Sequence, residues 1–257
     1  MVKRVLPLGM SETFVYDSMG RMSSRTDFNG NRTLYSYDMA GRLIEKRFPD
    51  GSTVSYAYTE SGKRSSVTDG SGTISYLYDA RDRLIRETKP DGSTLEYTYD
   101  AVGNRTSITE SGRTIHYDYD ALNRLVRVWV ADGSGRETRY EYDAVGNRTV
   151  VTHENGVQTT YNYDSLNRLR SMESRRPDGS VISSYTYTLG PSGNRLAVLE
   201  HSGRSVVYGY DALYRLTREE ISDPSHGNHV ITYSYDAVGN RLTKTDQTGT
   251  TVYEYDD

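Results

Sequence analysis

The chain has no cysteine, which excludes disulfides and thiolate metal sites. It has 6 prolines, 3 phenylalanines and 1 tryptophan in 257 residues. Leu, Ile, Val and Phe together make 48 of them, just under the roughly 20% below which chains tend to stay disordered. Two features argue for order. The net charge is only -4, and 24 tyrosines restore the missing apolar area, each bringing a large ring with a polar tip. The near-neutral balance gives no basic footprint for nucleic acid. No apolar run approaches the roughly 20 residues of a membrane-spanning helix. The start, from Met1 to Leu8, resembles a leader, but its apolar stretch is short and broken by Pro7, so no signal peptide is assigned. Neither glycine-rich phosphate fingerprint occurs, and no Ser or His stands in a nucleophile motif. No cofactor is implied.

What is present is a period. Tyr-x-Tyr-Asp, a short turn and Arg recur from end to end. The second aromatic falls at Tyr16, Tyr37, Tyr58, Tyr78, Tyr99, Tyr119, Tyr142, Tyr163, Tyr187, Tyr210, Tyr235 and Tyr255, spaced 20 to 25 residues apart. Self-similarity at that period marks a repeat architecture and overrides length as a guide to domain count. Residues 1–257 read as one array of about twelve repeats with no separate domain. Imperfect copies occur: Phe14 stands for the first Tyr, and Thr59 and Thr188 stand for the Asp.

One copy shows the physics. Residues 42–48 read as a strand, Pro49-Asp50-Gly51-Ser52 as a turn in which Pro presets φ and Gly supplies a positive one, and residues 53–58 as the return strand. In the return strand Val54, Tyr56 and Tyr58 share one face, because side chains two apart point the same way. Thr53, Ser55 and Ala57 share the other. Helical periodicity fits nowhere. The fold class is therefore all-β: tandem antiparallel β-hairpin repeats, about 24 strands, forming one long coiled sheet, a hollow shell or a barrel-like spiral. Coiling is expected because open twisted sheets rarely exceed about ten strands, and its open edges would need covering.

The second corner carries the repeat motif. Its members are Tyr37, Asp38 and Arg42; Tyr78, Asp79 and Arg83; Tyr99, Asp100 and Arg105; Tyr119, Asp120 and Arg124; Tyr142, Asp143 and Arg148; Tyr163, Asp164 and Arg168; Tyr210, Asp211 and Arg215; and Tyr235, Asp236 and Arg241. A short form runs Asp120 to Arg124, and a longer, Gly-bearing form runs Asp100 to Arg105. Asp at a turn's first position accepts backbone N–H bonds, and Gly or Asn takes the left-handed position.

Tyr-Asp followed by Gly-Arg-Leu or Gly-Asn-Arg at this period resembles the YD-repeat, or RHS-repeat, family, which includes shell-forming repeats of bacterial RHS toxins and Tc toxin complexes, and the teneurins. The resemblance covers essentially the whole chain. It implies a long antiparallel sheet wound into a hollow shell, enclosing a toxic domain in toxin members and serving adhesion in teneurins. It therefore implies a non-catalytic shell or scaffold whose partners are polypeptide cargo or further shell segments, in a secreted or cell-surface setting. The alternative is an extracellular adhesion or carbohydrate-binding module, with glycans as ligands. Toxin members end the shell with an Asp-Pro-x-Gly-Leu type of motif tied to self-cleavage. The nearest text here, Asp223-Pro224-Ser225-His226-Gly227, has its Gly one place late and is followed by Asn228, so self-cleavage is not implied.

Other candidates resolve to structural readings. Periodic rings are expected to form a stacked ladder, ring on ring between neighbouring hairpins, rather than a ligand groove. Periodic Asp and Arg are expected to cap turns and pair with each other, since a catalytic carboxylate pair needs one special environment. His226 and His229 lie in the longest insertion with only Asp223 close by, too few ligands for a metal site. Trp129, opposite Val126, Val128 and Val130, is expected to be a core ring.

Overall fold

A computed structural model describes residues 2–5 and 9–255. Leu6, Pro7 and Leu8 of the leader-like start lie outside the described residues, as does Asp256. The described residues hold 24 strands, from Val2–Val5 to Gly249–Val252, and no α-helix. They fall into two compact units, divided between Tyr117 and Asp118. Within each, strands pair antiparallel in sequence order, and each packs chiefly on the strand before and the strand after. The protein is all-β, built of tandem hairpins.

The hairpin read from residues 42–58 is formed by Leu43–Arg47 and Thr53–Tyr58, with Glu45 opposite Ser55 and Arg47 opposite Thr53. Arg42 and Phe48 belong to the corners. The Phe48 N–H donates to the Ser52 carbonyl at 2.9 Å, the Gly51 N–H donates to the Phe48 carbonyl at 3.0 Å, and Gly51 takes φ 85°. This is a type I turn closed by a left-handed residue, a common solution for a three-residue hairpin loop. The Asp corner has the same two bonds: the Asp38 N–H reaches the Arg42 carbonyl at 2.9 Å and the Gly41 N–H reaches the Asp38 carbonyl at 3.0 Å.

A β-bulge recurs beside corners of this kind. Tyr58 pairs with Arg64 while Ala57 pairs with Ser66, so one residue is skipped. The same shift precedes Tyr37, Tyr78, Tyr99, Tyr142, Tyr163, Tyr210 and Tyr235. A bulge adds local twist and takes a backbone group out of the ladder.

Burial is thin, as a single sheet layer dictates. In the second unit Tyr187, Val198, Val206 and Ile221 form a buried cluster, with Leu169, Tyr185, Leu189, Tyr208 and Ile231 packed around it. Val206, 1% exposed, gains about 1.5–3 kcal/mol from that burial. Most other strand residues are half-buried.

One repeat is registered differently from the sequence reading. The bulge lies between Thr188 and Leu189, and Leu189 pairs with Arg195. The corner N–H bond runs from Gly190 to the Asn194 carbonyl at 2.8 Å. Leu189 thus occupies the second-Tyr place and Gly190 the Asp place, so Tyr187 and Thr188 do not. Glycine suits position 190, since a Cβ there would sit 2.5 Å from Asn194 Oδ1.

Candidate functional site

The Asp corner is where the repeating side chains converge. In the copy at Asp38, the carboxylate Oδ1 accepts the Arg42 backbone N–H at 2.8 Å and Oδ2 accepts Arg42 Nε at 2.7 Å. The same guanidinium then reaches the next repeat. Arg42 Nη1 donates to the Thr59 carbonyl at 3.2 Å, and the group lies 4.8 Å from the Tyr58 ring centroid. One side chain therefore holds its own turn, the next turn's backbone and the next turn's ring. The ring contact is a cation–π interaction.

This arrangement recurs. Arg21, Arg83, Arg124, Arg168 and Arg215 donate Nε to Asp17, Asp79, Asp120, Asp164 and Asp211 at 2.6–2.8 Å. Their Nη1 atoms donate onward to the carbonyls of Asp38, Asp100, Asp143, Gly190 and Asp236 at 2.8–3.2 Å. Arg21, Arg83, Arg124 and Arg215 lie 4.7–5.0 Å from the rings of Tyr37, Tyr99, Tyr142 and Tyr235. The backbone N–H of the arginine, first, and its guanidinium hold each of these carboxyls below the usual aspartate range.

The remaining Asp corners use Asn. The Asp100, Asp143 and Asp236 carboxylates accept the side-chain amides of Asn104, Asn147 and Asn240 at 2.9–3.0 Å. The N–H of Asp100 bonds the Asn104 carbonyl, as the N–H of Asp120 bonds the Arg124 carbonyl. The two forms of the corner are therefore equal in length, contrary to the sequence reading. Arg105, Arg148 and Arg241 are not partners of those aspartates. They sit one residue further on, paired across the ladder with Tyr99, Tyr142 and Tyr235. Arg105 and Arg148 lie 4.9 Å from the rings of Tyr117 and Tyr161, and Arg241 lies 5.0 Å from that of Tyr233. Aligning copies by Asp rather than by Arg would have shown the equivalence of Asn104 and Arg83.

The tyrosines also differ from expectation. The stacked pair Tyr185–Tyr187, 6.5 Å apart, lies within one strand rather than between hairpins. The recurring partners of the rings are guanidinium groups. The second-Tyr hydroxyl reaches back one repeat to the carbonyl of the fifth residue after the preceding Asp position. Tyr37, Tyr58, Tyr99, Tyr142 and Tyr235 donate to Met22, Leu43, Leu84, Leu125 and Leu216 at 2.6–2.9 Å. Tyr78, Tyr163 and Tyr210 do the same to Arg64, Arg148 and Arg195 at 2.7–3.0 Å. Each acceptor stands at the bulge. Sequence reasoning missed this bond because nothing in a linear pattern marks where a bulge frees a carbonyl.

The two kinds of corner differ. At the Asp corners the second turn residue is apolar and exposed in Met19, Val102, Leu122, Val145, Leu166, Leu213 and Val238. At the opposite corners that place holds Asn29, Asp50, Asp91, Asn155, Asp178 and Ser202.

The remaining candidates carry less. His226 Nδ1 lies 3.2 Å from Asp223 Oδ2 with its side chain 81% exposed, and no group of three metal-ligating side chains occurs among the described residues. Trp129 is half-buried rather than core. Its indole N–H donates to Asp118 at 3.0 Å, and Arg127 lies 4.8 Å from its ring, which places it on the charged face. Among the described residues no helix is long and apolar enough to cross a membrane.

These features define a class, the tandem β-hairpin repeat proteins. Within it, the RHS Repeat family matches residues 37–74, 78–115 and 119–158, and that part of the chain is similar to the family's repeats. Among curated proteins none matches the sequence. Solved structures share the fold. TcdB2-TccC3 aligns at TM-score 0.74 and 19% identity, over 94% of this chain and 16% of that one. The Photorhabdus luminescens Tc holotoxin pore with a TccC3 variant aligns at 0.53 and 18%, over 98% and 18%. The chain thus spans about a sixth of the TcdB2-TccC3 chain.

Proposed function

We propose that the chain is a non-catalytic structural array, a wall segment of a shell that encloses or presents another polypeptide. The observation that carries this is the consumption of the conspicuous side chains. Asp, Arg and the tyrosine hydroxyl at successive corners hold neighbouring repeats together, which leaves geometry rather than a reactive group as the product of the fold. On this reading the motif residues from Tyr37, Asp38 and Arg42 through Tyr235, Asp236 and Arg241 are structural, the twelve repeats act as one array, and the sheet winds into a hollow wall. The likeness to toxin-complex structures supports a polypeptide, toxin-type cargo or further wall segments as partners.

The test is protection of a bound polypeptide. A polypeptide retained through purification should resist added protease. His226→Ala with His229→Ala should leave that resistance intact, whereas Gly103→Val should abolish it. A hydrolytic or transferase turnover lost on one Asp or His substitution, at unchanged thermal stability, would overturn the reading in favour of an enzyme.

A further inference from the structure

We infer that the second unit opens in steps of two repeats, with arginine-clamped pairs as the rigid modules and the junctions after asparagine corners as its hinges. From Asp120 to Asp236 the corners alternate, whereas near the start Arg21 and Arg42 clamp two successive junctions, to the Asp38 and Thr59 carbonyls. Arg124 ties its turn to the Asp143 turn, and Arg168 ties its turn to the Gly190 turn, each by a charged Nε bond and an Nη1 bond to backbone. Between these pairs the corner is crossed by Asn147 Nδ2 donating to Asn167 Oδ1 at 3.0 Å, two exposed neutral amides. The next junction is crossed by Ser192 Oγ donating to the Tyr214 hydroxyl at 2.6 Å, again exposed. Charge-assisted bonds are roughly twice as strong as neutral ones, so the two kinds of junction are unequal.

The tyrosine hydroxyl bond is present at both kinds of junction, but its acceptor differs. Tyr142 and Tyr235, which receive an arginine, reach the carbonyls of Leu125 and Leu216. Tyr163 and Tyr210, which follow a junction without the clamp, reach the carbonyls of Arg148 and Arg195, both exposed residues. An array's stability is a sum of unit and nearest-neighbour terms, so a weaker neighbour term becomes the place of opening.

The test is amide hydrogen exchange on the full chain. In the native protein the 120–124 and 143–147 corners should exchange together, as should the 164–168 and 190–194 corners, with the two blocks independent of each other. Arg124→Gln should speed exchange at 143–147 roughly tenfold, equivalent to about 1.4 kcal/mol, and leave 164–168 unchanged. Asn147→Arg places a guanidinium next to Asp143, within reach of the following turn. It should slow exchange at 164–168 and merge the two blocks. Circular dichroism establishes that each variant is folded. Uniform exchange across all four corners, or a folded Asn147→Arg protein whose blocks stay independent, would overturn the inference.

Discussion

Removing one tyrosine hydroxyl isolates the bond that joins each repeat to the one before it. Tyr99, Tyr142 and Tyr235 donate to the carbonyls of Leu84, Leu125 and Leu216 at 2.8, 2.8 and 2.7 Å, each partly buried beneath a guanidinium. Phe keeps the ring and its cation–π contact and deletes only the donor. A neutral hydrogen bond contributes about 0.5–1.5 kcal/mol net, and an acceptor left dry costs about 1–3 kcal/mol. These carbonyls are only partly covered, so water can replace the phenol, and about 1 kcal/mol per site is expected. The three sites lie in different repeats without shared partners, so their effects should add, to about 3 kcal/mol in the triple variant. Urea titration reads this as a shift in midpoint at constant slope. A triple variant with an unchanged midpoint would refute the account, because the bonds would then be incidental to ring packing.

Tyr187→Ala should cost about 3–5 kcal/mol, since its ring is 8% exposed in the buried cluster; Tyr16→Ala, at 45% exposure and in the first copy, should cost clearly less, and equal midpoint shifts in urea would undo the array picture. Gly103 sits at φ 109° with open space where a Cβ would go, so Gly103→Val should cost about 1–3 kcal/mol from backbone strain alone. Gly72→Ala combines φ 125° with a Cβ 2.7 Å from Pro90 Cβ and should melt below Gly103→Val. The corner aspartates have native pKa values below the ordinary 3.8, so the folded state binds fewer protons than the unfolded one. Their contribution should be complete above about pH 4 and fall as acid carries the pH through the depressed native values. An acid-unfolding profile that is flat below pH 4, or a loss that begins near neutrality, would contradict this. Tyr233, pushed up to about 12 by burial and then by its hydroxyl bond to Glu219, should ionise earlier in Glu219→Gln, as an ultraviolet titration would show.

The hairpins were legible in the sequence because everything that makes them is local. The return strand Thr53–Tyr58 and the Pro49-Asp50-Gly51-Ser52 turn follow from alternation and from φ preferences within six residues. The period identified the repeat before any fold was in hand, and the Asp corner's capping role follows from the carboxylate's reach to its own turn. What a linear pattern could not show depends on strand register and on partners in the neighbouring repeat. Leu189 and Gly190 displace Tyr187 and Thr188 because the bulge fixes the register there, and Asn194 folds over Gly190. Arg105 resembles Arg83 in sequence but is Asn104's neighbour rather than Arg83's counterpart, since the fourth residue after Asp faces the carboxylate and the fifth pairs into the ladder. Alternation and turn chemistry are single-chain properties of adjacent residues and were therefore fixed by the amino acids themselves. Which guanidinium meets which ring, and which carbonyl the bulge leaves free for a tyrosine hydroxyl, exist only once consecutive hairpins lie side by side, and the tertiary structure alone decided them.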